Sequence, residues 1–306
     1  MSVQRTKLVF ATDKPTEHAY AQCDNLRQII ADRSKLVEVS LVPGYSTIHC
    51  LPYLSENADL GFIKNFEIAL ASGAQYPYAK TYSNIRAVMN IGSRGGVFHF
   101  GVDPSTGMDS FRKIAENRYP LSLVVPEPAA SSYHMTRFAL EGYGITFEKI
   151  FEWGGRVTIE LGGRAHLLGV TMMKKGDANS ISGSDYYPSI WISESGREKG
   201  INLLSMDKEV VDEVCQRYGL VKWVIPKEAY PFLKSDVLSF KDVDIVATRA
   251  SVPEEIIYDF TKTICESADR VRALPADRFF DPKTAWQNIG LLHSGAEKYY
   301  REMGYI

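Results

Sequence analysis

An α/β fold in two lobes, each a mostly parallel sheet flanked by helices, is what the 306-residue sequence predicts. Three observations carry that prediction. Strand-like and helix-like segments alternate along most of the chain, the pattern of β-α-β units. The length exceeds one typical domain. Two stretches read as crossings between lobes: IGSRGGVFHFGVDPSTG, Gly-rich around a strand near residues 97 to 102, and PFLKSDVLSFKDVDIVATRASVPEE, where polar residues precede another strand. Lobe 1 then comprises residues 1–100 and 240–306, and lobe 2, residues 101–239, is inserted within it.

The elements follow in order. KLVFA is a first strand. From Pro15 to Arg33 a helix is expected, with Ala19, Cys23, Leu26 and Ile30 on one face at spacings of three or four. Pro15 suits a first helical position, with Thr12 or Asp13 as its cap. LVEVSLV alternates Val37, Val39 and Leu41 against Glu38 and Ser40, as a half-buried strand does. A short helix leads to DLGFI, another to NIRAVMNI, and the alternation continues to WVIP. Trp153-Gly154-Gly155-Arg156 forms a tight turn before the strand VTIEL. After a strand at Val243 to Thr248 only helices are expected: Pro253 to Ala268, about Pro282 to Gly290, and Ser294 to Met303.

Hydrophobic content of 45%, charged content of 24% and a formal charge of −2 are those of an ordinary globular protein. No basic excess points to nucleic acid. No apolar run approaches the roughly 18–20 residues of a membrane span. The first strand begins almost at once, as in trimmed secreted domains, so a signal peptide absent from this sequence is the expectation. Cys23, Cys50, Cys215 and Cys265 show no C-x-x-C and read as buried thiols. The six histidines lack ligand spacing, and no nucleotide-binding, zinc-protease or hydrolase motif occurs. Neither a metal nor a cofactor is expected.

The loops after successive strands are where chemistry is to be sought, since ligands of such sheets sit at strand carboxyl ends. ATDKPTEHAY offers Thr12, His18 and Tyr20; VPGYSTIHC offers Tyr45 and Ser46; GFIKNFE offers Asn65. VVPEPAASSYHMTRFALEGYGI gathers Ser131, Ser132 and His134 at a helix start. Orphan N–H donors there suit a carboxylate, although each stretch alone is equally an ordinary cap. One helix terminus contributes about 0.3–1 kcal/mol, rising to ~2 when partly buried, whereas micromolar affinity needs roughly 8 kcal/mol. An Arg fork or aromatic walls must therefore add to the caps. Arg94 is the candidate fork. Tyr20, Tyr45, Tyr133, Tyr186 and Tyr187 are the candidate walls.

The C-terminal LHSGAEKYYREMGYI resembles the end of the TAXI-type solute-binding proteins, receptors of tripartite ATP-independent periplasmic (TRAP) transporters, through His293, Gly295, Ala296, Tyr299, Tyr300, Glu302 and Gly304. ENADLGFI, NIRAVMNIG, SSYHMTRFALEGYGI and KKGDANSISGSDYYPSI are similar to further stretches of that family in the same order. The resemblance covers nearly the whole chain. Where the family has a Gly-rich opening after its first strand, this sequence has TDKPTEHAY, keeping Tyr20 without glycines.

The resemblance implies a two-lobe fold of the periplasmic-binding-protein type (type II) with the ligand in a cleft between lobes. It also implies a periplasmic, non-enzymatic, monomeric receptor that hands a small carboxylate to TRAP permease subunits. Glutamate-like and dicarboxylate ligands are the family's, and the wealth of tyrosine, with Trp153, adds aromatic acids. GYST, SSYH and GSDYYP match segments lining the family's cleft. A cytoplasmic effector-binding sensor and an enzyme on the same scaffold remain the alternatives.

Overall fold

The computed structural model describes residues 4–92, 96–161, 166–197 and 199–306. Two compact units are formed, one from Met1–Gly95 with Asp242–Ile306 and the other from Gly96–Lys241. The strand near residue 100 lies wholly in the second unit.

The first pass through unit one gives β1 (Thr6–Ala11), α1 (His18–Arg33), β2 (Val37–Val42), α2 (Thr47–Asn57), β3 (Leu60–Lys64), α3 (Asn65–Ser72) and β4 (Ile85–Asn90). Unit two opens with β5 (Val97–Val102), α4 (Phe111–Glu116), β6 (Ser122–Pro126), α5 (Ser131–Glu141), α6 (Phe147–Glu152) and β7 (Arg156–Glu160). It continues with α7 (Leu167–Lys175), β8 (Ser180–Asp185), α8 (Ile190–Ser195), β9 (Asn202–Leu203), α9 (Lys208–Tyr218), β10 (Val221–Ile225) and β11 (Val237–Lys241). The return to unit one adds β12 (Asp244–Arg249), α10 (Glu254–Cys265), α11 (Ala268–Arg272) and α12 (Ser294–Glu302).

The first sheet runs β2-β1-β3-β12-β4, and the second β10-β11-β5-β8-β6-β7 with β9 beside β5. One arrangement occurs twice. The order β2-β1-β3-β12 in unit one matches β7-β6-β8-β5 in unit two, with the first three strands parallel and the fourth antiparallel. The sheets are mixed where mostly parallel ones were expected. Parallel neighbours are linked by helical crossovers, whereas β12 and β5 each arrive from the other unit without one and dock antiparallel. In each sheet the strand order reverses at one point, β1 in the first and β6 in the second, and such switch points open a crevice at the strand carboxyl ends.

Several element boundaries differ from expectation. α1 begins at His18, with extended Glu17 before it, because the Asp13 carboxylate accepts from the Lys14 N–H (2.7 Å) and Lys14 to Thr16 are left in a turn. The stretch from Pro282 to Gly290 is a series of turns without a helix, and Asn288 and Gly290 adopt positive φ (60° and 85°), which stops any helical run.

Each sheet buries its own core. In unit one, Phe10, Ile29, Ile257, Phe260 and Tyr300 are fully buried, so the apolar faces of α1, α10 and α12 cover the sheet. In unit two, Ile181, Trp191, Ile192 and Ile225 play that part.

The C-terminal motif is architectural. His293 accepts from the Gly295 N–H at Nδ1 (3.2 Å), and its Nε2 donates to the Val252 carbonyl (2.9 Å). The Tyr300 hydroxyl donates to the Val88 carbonyl (3.1 Å).

Candidate functional site

The loop after β6, at the switch point of the second sheet, leads into α5. Its N-cap is Ala130, which is extended and has no side chain able to accept from the first turn. No acceptor is found for the Ser131 and Ser132 N–H groups among the described residues. Eleven helical residues stand behind these donors, giving the terminus its partial positive charge.

Small hydroxyls tie this helix to β8. Ser132 Oγ lies 2.8 Å from Ser184 Oγ, and Thr136 Oγ1 lies 2.8 Å from Ser182 Oγ while donating to the Ser132 carbonyl (2.9 Å). The spacings match because four helical residues rise about 6 Å and two strand residues about 6.7 Å. The alternation in SISGSD turns Ser180, Ser182 and Ser184 to one face. On the other face lie Ile181 and Gly183. A Cβ at Gly183 would stand 2.5 Å from the His166 ring, so the glycine admits that ring against the strand.

The neighbouring helix start is closed. Glu160, at the end of β7, accepts from the Leu168 N–H (2.9 Å) and the Gly169 N–H (3.2 Å), one with each carboxylate oxygen. A carboxylate thus already occupies the first turn of α7, while among the described residues the Ser131 and Ser132 N–H groups of α5 have none. Sequence reading missed Glu160 and Ser182, because their partners lie on other elements, and reached Ser184 only as part of GSDYYP.

The remaining expected residues divide clearly. Ser131, Ser132, Tyr133, Tyr186 and Tyr187 are half-buried. His134 is fully buried, with Nε2 donating to the Pro128 carbonyl (2.9 Å), and burial lowers its pKa to about 4. It is a neutral ring that fastens the loop, which removes the imidazole from the expected set of exposed donors.

In unit one, Thr12 is fully buried beside the Cys23 thiol, its carbonyl accepting from the Tyr45 N–H (3.1 Å). Its hydroxyl does not reach the surface, contrary to its expected role. His18 is exposed and Tyr20 half-buried in the first turn of α1. Tyr45 stacks on Tyr53 with centroids 4.2 Å apart, and Ser46 Oγ lies 3.0 Å from His49 Nδ1. Asn65 is buried. Its Oδ1 accepts from the Val243 N–H (2.9 Å) and its own N–H donates to the Val243 carbonyl (3.0 Å), clamping the returning chain. Beside it Lys64 pairs with Asp244 and with Asp242 (3.4 Å). Asn65 thus serves the fold where a ligand donor was expected. Arg94 lies outside the described residues.

Buried ionisable groups give the units opposite responses to pH. In unit one, burial raises Glu67 to about 8 and Asp277 to about 7, so near neutrality folded Glu67 is mostly protonated and Asp277 about half so. Their unfolded forms ionise near pH 4, and stability is therefore lost as pH rises towards 8, by about 1.4 kcal/mol per pH unit and group. In unit two, burial lowers His99, His134 and His166 to about 4. Unfolded histidine takes a proton near 6.5, so this unit loses stability as pH falls from 6.5 to 4. Hydrogen exchange at pH 5, 6.5 and 8.5, corrected for intrinsic rates, should loosen unit two at pH 5 and unit one at pH 8.5. A parallel response of both units would contradict this assignment.

The sequence model of the NMT1-like family matches residues 50–304. Among solved structures, the PhnD1 protein from Prochlorococcus marinus in complex with methylphosphonate is similar, with a TM-score of 0.52 at 11% identity, covering 98% of this chain and 99% of that one. A Xanthomonas citri protein bound to chloride ion gives a TM-score of 0.53 at 11% identity, covering 97% and 99%. At such identity the likeness establishes the fold, a two-sheet α/β architecture of the periplasmic-binding-protein type.

Proposed function

The chain belongs to the NMT1-like family, and from that membership and the binding-protein fold we propose that it is an extracytoplasmic solute-binding receptor for a small carboxylate. The observation that carries the ligand class is the uncapped first turn of α5 at a switch point, beside the Ser132–Ser184 hydroxyl pair. Glu160 at the end of β7 supports the chemistry, since it is the chain's own example of a carboxylate held by two N–H groups at a helix start. Ser131, Ser132, Tyr186 and Tyr187 are the proposed ligand contacts in unit two. Tyr20, Tyr45 and Ser46 are those in unit one.

Ligands of glutamate-like, dicarboxylate or aromatic-acid type fit donors combined with tyrosine walls. Capture by lobe closure follows if the ligand favours the closed over the open form, since only a differential affinity can drive the change. Delivery to a TRAP permease is what the sequence resemblance implies. No bond is made or broken, and no catalytic group is needed.

A thermal-shift panel of L-glutamate, succinate and benzoate, with methylphosphonate as the contrasting anion, tests the reading. At a hundred times Kd a true ligand stabilises by about 2.7 kcal/mol. At least one carboxylate is expected to raise Tm and methylphosphonate not to. The reverse result would overturn the carboxylate assignment.

A further inference from the structure

A chain of buried hydrogen bonds begins and ends at one ladder pair of the second sheet. Asp185, the last residue of β8, stands opposite Val97, the first residue of β5. Asp185 Oδ2 accepts from the Ser189 hydroxyl (2.8 Å), and the Ser189 N–H donates to the Tyr230 hydroxyl (2.7 Å). The Tyr230 hydroxyl lies 2.9 Å from His99 Nε2, and His99 Nδ1 lies 2.8 Å from the Val97 carbonyl. A carbonyl can only accept, so Nδ1 carries the proton and Nε2 accepts from Tyr230. Ser189, Tyr230 and His99 are each at most 1% exposed. Every donor in the chain therefore has one acceptor, and reversing any link would leave a buried group unpaired, at a cost of about 1–3 kcal/mol.

What this ring encloses is the turn Tyr186-Tyr187-Pro188. The Asp185 carboxylate holds its start, with Oδ1 accepting from the Tyr186 N–H (2.7 Å), and Ser189 holds its end. Resting on the reading that this turn contacts ligand, we propose that Tyr230 is a positioning residue, which through Ser189 and His99 fixes the two tyrosines in one conformation for binding. A turn ordered in advance loses no further entropy when ligand arrives. Trp191 packs edge-on against His99 (5.7 Å) and excludes water from the ring.

The test is Tyr230→Phe, which removes the hydroxyl and keeps the ring, in the full chain with ¹⁵N-labelled histidine. His99 should keep its Nδ1–H, held by the Val97 carbonyl, while its Nε2 resonance shifts on losing the Tyr230 donor, and His134 should keep its signal. Amide protection at Tyr186, Tyr187 and Ser189 should fall at least about tenfold, and affinity for the carboxylate that stabilises the parent protein should fall by a similar factor. Asp185→Asn, at the other end of the ring, should loosen the same amides, which keeps the test usable if Tyr230→Phe folds poorly. Unchanged turn amides in both variants would refute the relay. Loosened amides with unchanged affinity would refute a positioning role in binding. Failure of every carboxylate to bind the parent protein would instead remove the functional reading, with the amide measurement still judging the relay.

Discussion

Gly295→Ala should cost unit one about 3 kcal/mol, the upper range for forcing an extra carbon into a packed interior. A Cβ at this position would stand 2.2 Å from the Glu254 carbonyl oxygen and 2.7 Å from the Tyr258 nitrogen. Both atoms belong to the backbone of α10, so no side chain can swing aside. α12 would have to lift from α10, and Ala296, Tyr299 and Tyr300 are buried by that contact. Urea denaturation of the variant should show the loss. Lys298→Ala, on the exposed face of the same helix, should stay within about 0.5 kcal/mol, since a surface ion pair with Glu254 is worth little. Equal stability of Gly295→Ala and the parent protein would show that α12 is not held by close backbone contact.

The second large effect is expected on binding. Ser131→Pro combined with Ser132→Ala should weaken carboxylate affinity roughly hundredfold, the equivalent of one or two charge-assisted hydrogen bonds. Proline at the first helical position fits the helix and deletes an N–H that has no acceptor among the described residues. Ala130, at φ −93° and ψ 139°, already has the extended conformation that a residue before proline requires. The alanine then removes the hydroxyl paired with Ser184. Circular dichroism should show the helix intact. Calorimetric titration with the carboxylate that raised Tm should show the loss, and an unchanged Kd would remove α5 from the site.

Local pattern made much of the fold legible. The 2-residue alternation of VEVSLV and the 3.6-residue face of Cys23, Leu26 and Ile30 are properties of neighbouring residues, and both elements formed where the pattern put them. The interrupted stretch from Pro282 to Gly290 failed because apolar spacing there competes with two residues at positive φ. The doubled strand order escaped notice for another reason. It is a relation of topology, set by which strands pair in the folded chain.

The candidate site was legible only as a set of loops. The stretch at Ser131 and Ser132 stands out because small hydroxyl residues open an amphipathic helix after a buried strand, and the fold puts that loop at a switch point. Asn65 and His134 looked equivalent on paper. In the structure their polar atoms bond to Val243, 178 residues away, and to Pro128, at the base of the same loop.

The sequence by itself determined the alternation of strands and helices, the junctions at which polar residues gather, and the absence of any motif for covalent chemistry. Tertiary structure alone decided which of those polar groups remain available, by burying Thr12, clamping Asn65, filling the start of α7 with Glu160 and leaving the Ser131 and Ser132 N–H groups at the start of α5 without an acceptor among the described residues. The physical reason is that a backbone conformation is chosen by near neighbours, whereas a hydrogen-bond partner is chosen by whatever the folded chain brings within 3 Å.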